Sequence, residues 1–253
     1  MKKIIILLLC VFSILIGYIA YNISGGVSGL REDIGLEIKA RSNPKLRTIL
    51  NNKDHYPDAM IQSLYRNEEL IDFVYNYPSK KGHVYTNTIG PVTKGRYPLL
   101  LQYDQRWGYG NYGYNVIGMN GCGPTSAAMI IAGLIGRNNI TPFDVASYAY
   151  SHGYYQDGTS WAFFTEGMKH YVIHGRNIPL SYSSMKNEIV NGIPLICSMK
   201  PGDFTTTGHL IVIRGMKQGM FIVNDPNSIK RSNRLWSYDT LSKQIRNIWS
   251  LSR

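Results

Sequence analysis

The chain is short of several things, and each shortage removes a class of explanation. Three cysteines in 253 residues (Cys10, Cys122 and Cys197) exclude a disulfide-stapled scaffold. Acidic residues are scarce beside basic ones, 16 against 27, which leaves a net charge of +11. The basic residues are scattered from Lys39 to Arg234 with no recognition motif among them. They point away from nucleic acid and toward an anionic surface or cell-wall polymer. No tract is low in complexity and no unit recurs, so extended disorder, solenoids and propellers drop out.

What is present begins with Met1-Lys2-Lys3 and an uncharged run from Ile4 to Tyr21, close to the roughly 20 residues that span a bilayer. Bulky Tyr18 and Tyr21 leave no small-x-small cleavage site, so the run reads as an uncleaved signal-anchor. The lysines place the N-terminus in the cytoplasm and the rest outside, single-pass at the cell membrane, or secreted if the segment is cut. Residues 1–23 are then the membrane segment, 24–95 a Gly/Ser linker with a helical extension, and 96–253 the main domain. In the extension, Met60, Ile61 and Leu64, then Leu70, Ile71, Phe73 and Val74, recur at helical spacing, and Pro78 is expected to end the pattern.

From Arg96 the texture changes. Gly121-Cys122-Gly123-Pro124-Thr125-Ser126 turns into an apolar, alanine-containing helix that closes near Gly133 to Gly136. Thr141 with Asp144 forms a capping box for a helix stopping at Gly153. Ser160 opens another through Met168, and Ser183 or Ser184 a third ending at Gly192. Strand-like runs follow at 193–199, 209–214 and 220–224, and a final helix is expected over 239–249. Helices lead and strands follow, which predicts an α+β fold with a mostly antiparallel sheet.

Cys122 is the candidate nucleophile. It stands at a helix start, where unpaired amides favour a thiolate, and its flanking glycines would let a substrate approach the backbone. A disulfide to Cys197 would silence it, but Cys197 sits among Leu195 and Ile196 and reads as a buried strand residue. His209 enters an apolar strand directly after Gly208 and is the candidate base. His170 and His174 are spaced as a metal pair could be, without a third ligand, so no metal or other cofactor is expected. Asp225 ends the strand after that of His209 and can orient its imidazole, although Asp225-Pro226-Asn227 is also a turn. An oxyanion donor besides the Cys122 amide could come from Gln102, with Gln105 in competition.

The order Gln102, Cys122, His209, Asp225 resembles the papain-like cysteine peptidases of clan CA. Gln102-Tyr103-Asp104 with Trp107, the Gly121–Ser126 run, Gly208-His209 and Asp225-Pro226 are similar to its bacteriocin-leader-peptidase-like family thirty-nine. Tyr56-Pro57, Gly158-Thr159-Ser160-Trp161 and Pro201-Gly202-Asp203-Phe204 resemble its exported Gram-positive members. The resemblance implies a helical half carrying Cys122, a sheet half carrying His209 and Asp225, and hydrolysis of a peptide or protein substrate through Cys122, His209 and Asp225 with Gln102 as oxyanion donor. The same residues would serve an amidase, a cell-wall peptide hydrolase or a transferase, and a disarmed relative would be a binding protein. Leader processing is not carried over, because such members are fused to transporters.

Overall fold

The computed structural model describes residues 34–253. The expected membrane segment lies outside the described residues; among them, no helix is long and apolar enough to cross a membrane. The chain divides into two compact units, one ending at Tyr75 and one running Asn76–Arg253.

The first unit is helical. Residues 34–40 lead to the helix Pro44–Asn51, capped by the Asn43 side chain, and then to Asp58–Leu64. Leu46 and Ile49 are buried, and so are Met60, Leu64 and Phe73, as the helical spacing over 60–74 predicts. The helix Ile71–Lys80 carries Pro78 inside it. The expectation that Pro78 ends the pattern is therefore corrected. The proline sits in the last turn, where the Lys81 N–H still reaches the Tyr77 carbonyl and closes the helix around it.

The second unit is α+β. The helix Cys122–Ile135, which carries the candidate nucleophile, is buried along most of its length and ends at Gly136 in the left-handed conformation (φ 78°). It is apolar all round, as a helix enclosed by a core must be. Pro142–Ser151 begins with the reciprocal Thr141–Asp144 box. The helix expected from Ser160 is only Ala162–Thr165, followed by a 3-10 turn over Gly167–Tyr171. The next, Tyr182–Val190, is capped by Ser181, whose extended backbone lets its hydroxyl accept from the Ser184 N–H. Ser183 and Ser184 are inside that helix.

Strands β1 (Asn111–Tyr112) and β2 (Asn115–Val116) make a small hairpin ahead of the Cys122 helix. The main sheet contains β3 (His174–Asn177), β4 (Leu195–Met199), β5 (His209–Lys217), β6 (Met220–Asn224), β7 (Leu235–Trp236) and β8 (Ile245–Ser252). All pairings are antiparallel, in the order β3-β8-β4-β5-β6-β7. The final helix expected over 239–249 is confined to Tyr238–Ser242, and β8 takes the rest. Ile245, Ile248 and Trp249 imitate a helical stripe, but they belong to a strand between β3 and β4 whose residues 248–251 are buried on both faces.

Alternation sorts the sheet into two cores. Ile196, Leu210, Val212, Trp249 and Leu251 pack with the Cys122 helix. Leu195, Cys197, Met199, Ile211, Ile213 and Val223 face the opposite way, toward Met185 and Ile189 of the Tyr182–Val190 helix. Cys197 and Cys122 are both free thiols, and burial pushes the Cys197 thiol strongly up, keeping it neutral. Cys197 is a packing residue.

Candidate active site

Three elements carry the candidate residues. Cys122 is the first residue of its helix and half-buried, at the end where unpaired N–H groups gather. That helix lies against β5, where the Ser126 hydroxyl donates to the Leu210 carbonyl at 3.4 Å. His209 opens β5, and Asp225 follows β6, its antiparallel neighbour. The hairpin returns the chain so that His209 Nε2 meets Asp225 Oδ1 at 2.7 Å, with both residues buried.

Asp225 is heavily partnered. Its Oδ1 also accepts from the Asn227 N–H at 2.7 Å, and its Oδ2 accepts from Arg231 Nε. The turn at Asp-Pro-Asn and the contact to His209 therefore exist together. Burial alone would raise this carboxyl, but the charges and hydrogen bonds of His209 and Arg231 outweigh it and hold Asp225 below the usual carboxylate range. For His209, burial pulls downward. The Asp225 carboxylate and hydrogen bond, with a smaller contribution from a hydrogen bond to Cys122, reverse that and push it up to about 9. Nε2 is committed to Asp225, so Nδ1 is the nitrogen left for the thiol.

The glycines beside Cys122 serve the protein's own packing. A Cβ at Gly123 would stand 2.2 Å from Thr159 Oγ1, and one at Gly121 would stand 2.5 Å from the Ile117 carbonyl oxygen. At both positions chain, not solvent, occupies the space that a side chain would need. Thr159 ends a tight loop held by the Gln156 N–H on the Gly158 carbonyl (2.8 Å), and its hydroxyl bonds the Tyr112 hydroxyl at 2.8 Å. Gly123→Ala is expected to displace this loop and destabilise the domain by about 1–3 kcal/mol, the usual cost of overpacking. A urea midpoint measured beside wild type checks it; an unchanged midpoint would show that the loop yields freely.

A cleft of about 580 Å³ opens over Cys122 and His209. It is lined by residues 156–161 and by Ser198, Met199, Thr207, Gly208 and Arg246. The description Peptidase_C39-like family matches residues 94–253, which includes every residue of this cleft. The chain belongs to that family. Its members are papain-like cysteine peptidases, the class that the ordered Gln102, Cys122, His209 and Asp225 resemble.

Three solved structures of C39 peptidases are similar to the chain. One is the peptidase domain of Streptococcus ComA, a bi-functional ABC transporter involved in quorum sensing: 19% identity, 62% of this chain and 98% of that one, TM-score 0.42. A double glycine motif protease from an AMS/PCAT transporter, in complex with its leader peptide, has 17% identity, 65% and 96% coverage and a TM-score of 0.40. A C39-like peptidase from Bacillus anthracis has 14% identity, 65% and 98% coverage and a TM-score of 0.38. No curated protein matches.

The two glutamines part company. Gln102 is buried, and its backbone N–H donates to the Pro226 carbonyl at 2.7 Å, which ties its segment to the Asp225 turn. Buried Trp107 holds the same segment from the other side through Nε1 on the Leu101 carbonyl at 2.8 Å. The Gln102 amide nitrogen donates to the Gly118 carbonyl at 2.9 Å and to Met119 at 3.3 Å, while its Oε1 is buried without a partner. Gln105 accepts from Lys80 and Asn76 instead. His170 stacks on Tyr148, ring centroids 4.1 Å apart, in the 3-10 turn, while His174 begins β3.

Sequence reasoning assigned no role to Arg231 or Arg246, and it placed Thr159 only in a run that resembles exported family members. Arg231 carried one signal, its position six residues after Asp225, but nothing in the sequence shows that the short helix Ile229–Ser232 turns it back onto that carboxylate.

Proposed function

We propose that this C39-like protein is a thiol peptidase that cleaves a peptide bond through Cys122, His209 and Asp225. The observation that carries the reading is the buried His209–Asp225 pair at the start of the Cys122 helix, with His209 pushed up to about 9. A histidine in that state remains protonated at neutral pH and supports a thiolate on its free side. The thiolate attacks the substrate carbonyl, and His209 hands its proton to the leaving amine. Water then releases the acyl group, with His209 taking the proton back. Asp225 remains ionised throughout, held by Arg231 and Asn227, and fixes the ring with Nε2 protonated.

The developing oxyanion takes the Cys122 N–H and the Gln102 amide. Gln102 serves by turning one hydrogen away from Met119, the longer of its two contacts, and into the cleft when substrate binds. On the same reading the run at 4–21 tethers the domain to the outer face of a membrane, and the positive charge suits an anionic cell surface. The substrate is a peptide or an exposed protein segment.

The test is the pH dependence of Cys122 alkylation by iodoacetamide in the full chain in detergent, read residue by residue by mass spectrometry. Cys122 is expected to react at pH 6 at a rate that a free thiol reaches only in mild alkali, and His209→Ala should remove the advantage. Buried Cys197 is the internal control. A Cys122 as slow as Cys197 at pH 6 would sink the enzyme reading.

A further inference from the structure

The β4–β8 ladder breaks beside the catalytic pair. Ser198 pairs with Asn247 and Met199 with Ile245, so Arg246 is the extra residue of a β-bulge and has no partner across the ladder. Met199 in turn pairs with His209 on β5. The bulge therefore stands across β4 from the candidate base, at the same level of the sheet. Bulges re-aim side chains, and this one gives Arg246 to the wall of the Cys122 cleft. Arg246 is exposed, and among the described residues no hydrogen bond or ion pair engages it. The other charged residue lining the cleft, besides the candidate pair, is Asp157 on the 156–161 loop, held at φ 50° and likewise without an ion pair among the described residues.

We infer that Arg246 is a specificity residue that receives a carboxylate of the substrate, a conclusion that rests on the cleft being the catalytic one. A guanidinium without an internal counter-ion at the edge of a partly desolvated cleft favours an anionic partner and offers it two parallel donors. Asp157, on the 156–161 loop, favours a cationic or hydrogen-bond-donating group at its part of the cleft. The cleft thus offers a bound peptide a basic group at the β8 bulge and an acidic group on the 156–161 loop. A carboxylate could come from an acidic side chain or from the end of a chain; the chemistry Arg246 reads is the same.

The experiment compares two alkylating reagents of nearly equal size and identical chemistry on the full chain: neutral iodoacetamide and anionic iodoacetate. The rate ratio, iodoacetate over iodoacetamide, reports the field at Cys122. Arg246→Gln should lower it about threefold or more at low ionic strength, Asp157→Asn should raise it, and Arg246→Lys should keep it. An unchanged ratio in Arg246→Gln, or an equal loss in Arg246→Lys, would overturn the assignment. Cys122 inert to both reagents would instead overturn the thiol-enzyme reading, and this one with it. Two peptides then distinguish the source of the carboxylate by protection of Cys122: one with blocked ends and an internal glutamate, the other with a free C-terminus and no acidic side chain. The peptide that protects the wild type but not Arg246→Gln names the source, and protection by neither overturns the inference.

Discussion

Cys122→Ala is expected to abolish turnover while leaving the fold in place. In a nucleophile–base–orienter unit, losing the nucleophile costs about 10⁵–10⁶ in kcat, or roughly 7–8 kcal/mol of transition-state stabilisation. The structural effect should be small. Cys122 is half-buried at a helix start, and its thiol is not what anchors that helix: the Thr125 N–H bonds the Gly121 carbonyl at 3.0 Å, and the body of the helix is locked in the core. Removing one partly exposed sulfur should change stability by no more than about 1 kcal/mol. Cys122→Ser discriminates further, since a hydroxyl is not ionised by a neighbouring imidazolium and should leave only a trace of activity. The check is a progress curve on a peptide the wild type turns over, beside thermal unfolding of each variant. Substantial activity in Cys122→Ala would mean that the chemistry lies elsewhere.

Much of this site was legible because its parts are local. A cysteine before an apolar helix, a histidine entering a strand and an Asp-Pro turn after the next strand are each written in a few adjacent residues. Their meeting follows from one hairpin, β5–β6, lying on one helix. The same locality explains the correct capping box at Thr141. It also explains the failure at the C-terminus, where Ile245, Ile248 and Trp249 satisfy a helical period as well as a two-faced buried strand. Only the vacancy between β3 and β4 decides between them. Strand β3, His-Gly-Arg-Asn, has no apolar alternation at all and exists because β8 offers it an edge. Arg231, Thr159 and Arg246 reach the site through tertiary placement: a short helix folded back on Asp225, a loop pressed against Gly123 and a bulge. Nor does sequence tell Gln102 from Gln105. Burial beside Gly118 and Met119 marks the first, and the contacts to Lys80 and Asn76 mark the second.

Asp225 should govern stability as well as rate. Asp225→Ala leaves His209 and Arg231 facing a buried hole with no anion, a change that typically costs about 3–5 kcal/mol. Asp225→Asn retains the volume and can still accept from the Asn227 N–H, so it should fold better. It leaves Arg231 uncompensated and lets His209 take the wrong tautomer, with kcat falling by about 10⁴. The pH profile of stability distinguishes this electrostatic role from simple packing. Asp225 is held below its usual range when folded, so its contribution is complete above about pH 4 and is lost as pH falls through the depressed folded value. His209 is raised to about 9, so its contribution is complete below about pH 6.5 and drains away as pH rises through 9. The wild type should therefore be most stable between those limits, and Asp225→Asn should flatten both slopes at once. Urea unfolding across that range tests it. If the variant loses stability by the same amount at every pH, Asp225 is a packing residue. The double variant Asp225→Ala with Arg231→Met, which removes the stranded cation, should recover part of the loss only if charge is the cause.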